Sequence, residues 1–458
     1  MKNKIFIVLF SFISAFIFSQ NIVGNWYGSL DIQGQKLPLV VHILEKDKVY
    51  ISTFDSPMQG AKDIPIEKTT FINNELILDA TKVGFIFKGK LSDQKITGDF
   101  SQNGMNLPMI LTRNDESAPQ IRPQTPEKPF PYDETDISFK NELQQNILAG
   151  TLATPKNFNK NSPILVMITG SGAQNRDEEL FGHKPFLVIS NHLAKNGIAT
   201  LRLDDRGIGG SEKGKDGATT ADFATDINSA VNYLVKNGYN NIGLIGHSEG
   251  GMIAPMVANE NKNVKFLVLL AAPGIPIQDL MLQQTNNVAK ISGADEKTLE
   301  SNRKFNTIIY SFANNYKGEN FDKDLKELII TEIKKIPDEQ MNAKELEDFT
   351  ETQIAQISKP WFRYFLKFDS DNYLSKVKIP VLALNGNLDL QVSAKENLAG
   401  IKKSLGKAGN KHFEIIELDR LNHLFQTATT GNPLEYGQIE ETFSPKALDK
   451  ISSWIKNL

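Results

Sequence analysis

The chain has 458 residues, of which 40% are hydrophobic and 23% charged, a composition typical of folded globular proteins with more than one domain. Its 51 lysine and arginine residues nearly balance 54 aspartate and glutamate residues, giving a net charge of −3, so a nucleic-acid partner is not expected. The sequence contains no cysteine, which excludes disulfides, thiolate metal sites, iron–sulfur clusters and a cysteine nucleophile.

The N-terminal segment has the pattern of an export signal. Lys2 and Lys4 precede an uncharged, mainly apolar run over residues 5–18. This run is shorter than the roughly 20 residues that a membrane-spanning helix needs, and a small residue follows it, as in secretory signal peptides. We predict cleavage after Ser19, so that residues 1–19 are removed. The mature protein is then periplasmic or extracellular, without a stable membrane span. An uncleaved N-terminal anchor is the alternative.

Residues 20–113 have the pattern of short β-strands. Apolar side chains alternate with neighbours on the opposite face at Leu39, Val41 and Ile43, and turn residues such as Asn73-Asn74 separate the strands. This spacing predicts a small antiparallel β-barrel or sandwich domain. Residues 114–136 contain five prolines among charged residues, which favours a semi-rigid linker between two domains.

Residues 137–458 alternate between apolar strands and helices. Alternation of this kind predicts a mostly parallel, buried sheet. The predicted strands are Ile164–Ile168, Thr200–Leu203, Ile242–Ile245, Phe266–Leu270 and Val381–Leu384. The alternation stops over residues 274–375, where helical periodicity predicts a helical cap inserted between two strands. The predicted fold class is therefore α/β with an inserted cap, preceded by a small antiparallel β domain.

Gly246-His247-Ser248-Glu249-Gly250 directly follows the strand Ile242–Ile245 and opens a helix. This is the G-x-S-x-G motif in its strand–turn–helix context, where a tight turn exposes a nucleophilic serine. Bulky side chains at 246 or 250 would collide with the neighbouring strand and helix. Ser248 is therefore the predicted nucleophile.

A serine nucleophile needs a base, and histidine is the usual one. The chain has six histidines, at positions 42, 183, 192, 247, 412 and 423. His42 lies in the β domain, and His192 and His412 are expected to be packing or surface residues. His247 adjoins the serine but is expected to face elsewhere. His423 follows the last sheet strand, on the edge that carries the serine, and is the predicted base.

The histidine needs an acid to orient it. Asp389 follows the strand that ends near Leu384, at the carboxyl edge of the sheet, and Asp419 is the competing acid. With Asp389 the chain order is serine, acid, histidine, as in α/β-hydrolases.

The oxyanion of an acyl-transfer intermediate needs two backbone N–H donors. We predict Glu249, which follows the serine, as one donor. Ser171, in the loop after the first central strand, is the other, with Gly172 as its alternative. A dinucleotide fingerprint at this loop is disfavoured because Asn175 occupies the place of the third glycine.

Two charged segments lie near these residues. The turn at Asp204-Asp205-Arg206 predicts an internal ion pair. Residues 175–179 predict either a substrate contact or a structural network. The sequence has no H-E-x-x-H motif, and we predict neither a metal nor a cofactor.

Residues 137–458 resemble the bacterial α/β-hydrolase serine esterases that are related to serine aminopeptidases and often carry an N-terminal β domain. The matching segments occur in order along the chain: Leu148–Leu152, Gly170–Gly172, Arg176-Asp177, Gly182–Phe186, Arg206–Ser211, Gly246–Gly251, Asn385–Val392 and Asn422-His423. The resemblance implies a carboxylesterase that hydrolyses small-molecule, short-chain acyl esters through Ser248, Asp389 and His423.

Three hypotheses follow. The first is a secreted serine carboxylic-ester hydrolase, and the second is an aminopeptidase or short-peptide hydrolase with the same triad. The third is a binding or scaffold protein whose hydrolase core has lost its activity. An apolar cap would favour esters, whereas a buried carboxylate pair in the pocket would favour peptides. No oligomeric state is predicted.

Overall fold

The computed structural model describes residues 22–32, 35–57, 61–81, 84–102, 105–114, 122–336 and 341–458. The predicted signal peptide, residues 1–19, lies outside the described residues. None of the helices in the described ranges is long and apolar enough to cross a membrane.

The N-terminal domain is one nine-stranded sheet, sheet A, in which each strand pairs antiparallel with its neighbours. Its strands are β1 (Gly24–Ile32), β2 (Gln35–Lys46), β3 (Val49–Ser56), β4 (Ala61–Ile66), β5 (Lys68–Ile72), β6 (Glu75–Ala80), β7 (Phe85–Ser92), β8 (Lys95–Gln102) and β9 (Met105–Thr112). Their order across the sheet is β4-β3-β2-β1-β9-β8-β7-β6-β5. The Thr69 hydroxyl on β5 donates to that of Ser52 on β3 over 2.8 Å, so the ends of the sheet nearly meet as in a barrel.

The interior of sheet A is filled by the alternating apolar side chains that the sequence pattern indicates. Leu39, Val41 and Ile43 are buried, and Trp26 and Phe87 are among the largest fully buried side chains. A strand that buries every second residue must place the others outward, which gives this sheet one apolar and one polar face.

Residues 122–124, which precede the second domain, are hydrogen-bonded to it. The Arg122 guanidinium donates to the carbonyls of Phe181 and Gly437, and Gln124 donates to that of Phe443. Strand β10 (Asp133–Lys140) begins inside the range assigned to the linker, and its first residue pairs with Thr154. Residues 133–136 therefore belong to the second sheet.

The second domain is built on an eight-stranded sheet, sheet B, with the order β10-β11-β13-β12-β14-β15-β16-β17. The further strands are β11 (Ile147–Thr154), β12 (Ile164–Ile168), β13 (Ala199–Leu203), β14 (Ile242–His247), β15 (Val264–Leu270), β16 (Val381–Gly386) and β17 (Phe413–Leu418). The first three strands across the sheet pair antiparallel, and all other pairs are parallel. The predicted α/β fold with a mostly parallel sheet is confirmed.

Helices cover both faces of sheet B because its central strands are apolar on both sides. Outside the cap, the helices are α1 (Pro185–Lys195), α2 (Thr220–Lys236), α3 (Gly250–Glu260), α10 (Ala394–Lys407) and α11 (Pro445–Lys456). Phe186 and Trp454 bring α1 and α11 into the core on one face. Val231, Ile253 and Ile401 bring α2, α3 and α10 into the core on the other.

A helical cap lies between β15 and β16. It comprises α4 (Ile277–Ile291), α5 (Glu296–Asn315), α6 (Phe321–Ile333), α7 (Ala343–Ile357), α8 (Pro360–Leu366) and α9 (Asp371–Leu374). Helix α6 buries an apolar stripe in the cap core at Leu325, Ile329 and Ile333. The cap thus has its own core and stands over the edge at which β14 and β16 end.

Candidate active site

Ser248 lies in a sharp turn between β14 and α3. Its φ of +51° is in the left-handed region, which is costly for a residue other than glycine, and its N–H donates to the carbonyl of Leu270 over 2.9 Å. A Cβ on Gly246 would lie 2.1 Å from the carbonyl oxygen of Gly250, and one on Gly250 would lie 2.2 Å from that of Ile168. Both glycines are therefore required for steric reasons, and the turn has the tight strand–turn–helix geometry that the motif predicts.

His423 and Asp389 are paired below this turn. Nδ1 of His423 lies 2.8 Å from Oδ2 of Asp389, and both residues are buried. The other carboxylate oxygen accepts the N–H groups of Gln391 and Val392, so three bonds fix the carboxylate. These bonds position Nδ1 as a donor and leave Nε2 as the acceptor.

The alternative acid, Asp419, is exposed and accepts a hydrogen bond from Asn387. The acid that pairs with His423 in this structure is therefore Asp389.

Ser248 and His423 both line one cleft beneath the cap, with a volume of about 270 Å³. In the described side chains no hydrogen bond joins Ser248 to His423. The structure thus places the serine and the histidine in one cleft without the direct bond through which a base takes the serine proton. Such bonds are often long in structures without substrate.

The loop after β12 runs beside the serine. A Cβ built on Gly170 would lie 3.3 Å from the Cβ of Ser248. The N–H groups of Ser171 and Glu249, the predicted oxyanion donors, have no acceptor among the described residues. They are therefore free to bind an oxygen atom of a substrate. Gly172, the alternative to Ser171, adopts a φ of +99° in the same loop.

Asp205 fixes both ends of this loop. Its carboxyl accepts the Thr169 hydroxyl over 2.8 Å and the Gln174 N–H over 2.9 Å. Burial raises the pKa of Asp205 to about 7, against the effect of those two donors, which lowers it. Sequence reasoning predicted only a tight turn and an ion pair for this segment and missed its link to the loop.

Glu249 joins the serine turn to three other elements. Its buried carboxyl accepts the Thr220 hydroxyl over 2.6 Å and the Trp361 indole N–H over 2.9 Å. The Ser171 side chain also bonds to it. Burial raises the pKa of Glu249 above its usual range, although these donors oppose the shift. One side chain thus connects the cap, α2 and the loop that carries a predicted oxyanion donor.

Both ring nitrogens of His247 bond to groups other than Ser248. Its Nδ1 lies 2.9 Å from Oε1 of Glu178, and its Nε2 lies 3.0 Å from the carbonyl oxygen of His423. The same Glu178 oxygen accepts the N–H of Gly170. Burial alone would lower the pKa of His247, but the Glu178 carboxylate and the His423 carbonyl outweigh it and raise this pKa. No local pattern indicates this pair, because Glu178 and His247 are 69 residues apart along the chain.

The remaining charges nearby form structural pairs. Arg176 binds Asp204 over 2.6 Å, and Arg206 binds Asp226 over 2.7 Å. These contacts match the ion pair predicted for the Asp204–Arg206 turn. In segment 175–179, Arg176 is part of a structural ion pair, as one of the two alternatives predicted. Glu178 is the residue of this segment that lines the cleft.

Among the described residues, one group of three side chains could share a metal ion, namely His42, Asp55 and Asp63 in the β domain. The imidazole of His42 already binds Asn25 and Asp55. This group lies outside the cleft of Ser248, so it contributes nothing to the chemistry proposed there.

The family model described as the alpha/beta hydrolase fold matches residues 163–423, which include the serine turn and end at His423. The chain belongs to this family, and it is a hydrolase.

Among known proteins, the chain is similar to esterase EstD of Thermotoga maritima. The two are 24% identical over 336 residues, covering 71% of this chain and 68% of EstD. A soluble epoxide hydrolase of a Corynebacterium species is 36% identical over 80 residues, which cover 17% of this chain and 27% of that enzyme. The predicted resemblance to α/β-hydrolase esterases is confirmed.

Solved structures with a similar chain path include two esterases. Est1E of Butyrivibrio proteoclasticus, with bound ferulic acid, has a TM-score of 0.40 at 18% identity and covers 70% of this chain and 96% of Est1E. Esterase Pf2001 of Pyrococcus furiosus has a TM-score of 0.42 at 15% identity and covers 75% of this chain and 99% of Pf2001.

Proposed function

We propose that the protein is a serine carboxylic-ester hydrolase that acts on short-chain acyl esters through Ser248, His423 and Asp389. The observation that carries this proposal is the bond of 2.8 Å between His423 and Asp389, in the cleft that also exposes the strained Ser248. The similarity to EstD supports the choice of ester bonds as substrates.

The reaction proceeds in two halves. Ser248 Oγ forms a bond to the acyl carbon while Nε2 of His423 takes the hydroxyl proton, and Asp389 stabilises the imidazolium through Nδ1–H. The carbonyl oxygen becomes an oxyanion held by the N–H groups of Ser171 and Glu249.

Collapse of this intermediate breaks the bond to the alcohol oxygen, which receives the proton from His423. Water then attacks the acyl-enzyme with His423 again as base. The carboxylic acid leaves, and Ser248 recovers its proton.

An aminopeptidase would need a carboxylate that is free to bind the substrate ammonium. Asp205 and Glu249 are buried carboxyls near the oxyanion loop, but hydrogen-bond donors of the protein occupy both of them. In the cap, Glu345 caps its own helix by accepting the N–H of Asn342. These contacts favour an ester over a peptide.

The test compares the wild-type protein with Ser248→Ala on p-nitrophenyl acetate and butyrate and on aminoacyl-p-nitroanilides. Ser453→Ala, an exposed serine on α11, is the matched control. We expect ester turnover to fall by about 10⁴-fold or more in Ser248→Ala and to persist in the control. Anilide cleavage faster than ester cleavage would replace this proposal with the aminopeptidase.

We also propose export of the mature chain, which rests on the basic and apolar pattern of residues 1–19. N-terminal sequencing of the protein recovered from a periplasmic fraction or from the medium should begin at Gln20. Recovery of the chain with Met1 in a membrane fraction would favour the uncleaved anchor.

A further inference from the structure

A second cavity, larger than the cleft of Ser248, adjoins it. Its volume is about 560 Å³, against about 270 Å³ for the cleft. Gly170, Ser171, Gln356 and Trp361 line both spaces. A volume of this size is within the range of ligand pockets, roughly 300–1,000 Å³.

The position of the cavity indicates which part of an ester it receives. The loop residues 170–173 and Glu249 line it, so it borders both predicted oxyanion donors. The described residues that line it include neither His423 nor Ser248, both of which line the adjoining cleft. His423 must reach the leaving alcohol in order to protonate it, so the alcohol lies in the cleft. The acyl group, which points away from His423, lies towards the cavity.

All charged residues of the cavity wall except Lys359 already bond to other groups of the protein. Lys215 binds Asp222 over 2.6 Å, and Lys213 binds Asp216 over 2.6 Å. Asp204 and Arg206 have the ion-pair partners described above, and donors of the protein occupy the carboxyls of Asp205 and Glu249. A ligand therefore has no strong partner among these charges. Lys359, another cation of the wall, is exposed.

Most of the remaining wall is apolar, with Thr169, Ser171 and Gln356 as its uncharged polar residues. Its larger apolar side chains are Leu148, Ile168, Leu203, Phe223, Ile227, Ile253 and Trp361. An apolar wall favours a ligand that buries apolar surface against it, because removing methylene groups from water is favourable.

We propose that this cavity is an acyl subsite for medium-chain or aromatic acyl groups, so that the substrate range extends beyond short-chain esters. The inference rests on the acyl-enzyme mechanism of the proposed function and adds the class of acyl group. Trp361 lies where the cleft and the subsite adjoin, since it lines both. Its indole donates to Glu249 over 2.9 Å and stacks on Phe365 at 5.0 Å between ring centroids, so its position is fixed.

The experiment measures kcat/KM in two series. The acyl series is p-nitrophenyl acetate, butyrate and octanoate, and the alcohol series is methyl, butyl and octyl acetate. Two variants fill the cavity, Ala173→Phe from the loop and Ala218→Phe from the segment before α2. Neither alanine is fully buried, so a larger side chain can be accepted there without unfolding. Ala408→Phe, at the end of α10, adds the same bulk outside the cavity.

In the wild type, kcat/KM should rise about tenfold or more from butyrate to octanoate, because the added methylene groups are buried. Both filling variants should reduce the ratio of octanoate to butyrate by about tenfold, and Ala408→Phe should keep the wild-type ratio. The alcohol series should change little in any variant.

Three results would overturn the subsite. They are a wild-type kcat/KM that falls from butyrate to octanoate, filling variants with an unchanged ratio, and a loss confined to octyl acetate. Failure of the proposed function is distinguishable from failure of the subsite, because ester hydrolysis would then persist in Ser248→Ala.

Discussion

Glu178 and His247 form a buried pair, with 2.9 Å between carboxylate oxygen and imidazole nitrogen, and each also binds the backbone of a different active-site loop. Glu178 accepts the N–H of Gly170 over 2.8 Å, and His247 lies 3.0 Å from the carbonyl oxygen of His423. The pair therefore links the loop after β12 to the loop that carries His423. Because His247 adjoins Ser248 in sequence, the proposed nucleophile, the proposed base and the loop of the proposed oxyanion donor share one rigid connection.

The first prediction concerns this connection. His247→Leu should lower kcat by about 10²-fold with a smaller change in KM, because a small displacement of the base or the oxyanion loop misaligns the reacting atoms. It should also lower the free energy of unfolding by about 1–3 kcal/mol, because Glu178 loses its partner. Steady-state kinetics measure the change in kcat and KM, and urea denaturation measures the change in unfolding free energy.

His412→Leu, at an exposed position before β17, is the matched control and should behave as wild type. A His247→Leu enzyme with normal kcat and reduced stability would mean that the pair only supports the fold.

The second prediction distinguishes the two candidate acids. Asp389→Asn should lower kcat by about 10⁴-fold, because an amide no longer fixes the imidazole tautomer or stabilises the imidazolium. Asp419→Asn, at the exposed acid beside Asn387, should keep wild-type kcat. Measured kcat values for p-nitrophenyl butyrate decide the matter, and the opposite ranking would assign the role to Asp419.

The third prediction concerns the serine turn. Gly250→Ala places a Cβ 2.2 Å from the backbone carbonyl oxygen of Ile168, which cannot move without distorting β12. We expect a loss of more than about 2 kcal/mol of unfolding free energy, together with loss of activity.

Gly406→Ala, on α10, is the control. A Cβ there has no neighbour within 4 Å, and alanine favours helix by about 0.5–1 kcal/mol over glycine. Denaturation midpoints should therefore move in opposite directions. Equal midpoints in the two variants would contradict the steric requirement at the turn.

The fourth prediction is a pH dependence of stability. The pKa of Asp205 is about 7 in the folded chain against a usual 3.8, because the carboxyl is buried. Between these two values the unfolded state has lost a proton that the folded state keeps. The stability that Asp205 contributes is therefore present below about pH 4 and is lost as the pH rises towards 7.

In Asp205→Asn, the side chain at this position does not titrate. The difference in unfolding free energy between wild type and Asp205→Asn should therefore decrease as the pH rises from 4.5 to 7.5, with a slope of at most about 1.4 kcal/mol per pH unit. Urea titrations at intervals of one pH unit measure the difference. A constant difference would mean that Asp205 titrates alike in the folded and unfolded chains.

The sequence predicted those parts of the molecule that local patterns determine. The strand before Ser248, the helix after it and the small residues at 246 and 250 follow from local sterics. Helix α2 also follows from a local pattern, since its apolar side chains recur with helical spacing. Chain order and the edge of the sheet were sufficient to place Asp389 beside His423.

Contacts between distant segments could not be predicted from the sequence. Glu178 and His247 are separated by 69 residues, and Trp361 and Glu249 by 112. Nothing in either local pattern shows that these side chains meet. The second cavity also depends on how the cap packs over the oxyanion loop, and no spacing in the chain encodes that packing.

The measurement that tests the central claim most directly is covalent trapping of the nucleophile. The wild-type protein is treated with a fluorophosphonate, which forms a stable bond to an activated serine, and the modified residue is identified by peptide mass spectrometry. We predict one adduct per chain, on Ser248, with loss of ester hydrolysis in proportion to labelling. An adduct on another serine that abolishes activity, or full labelling of Ser248 with activity intact, would contradict the assignment.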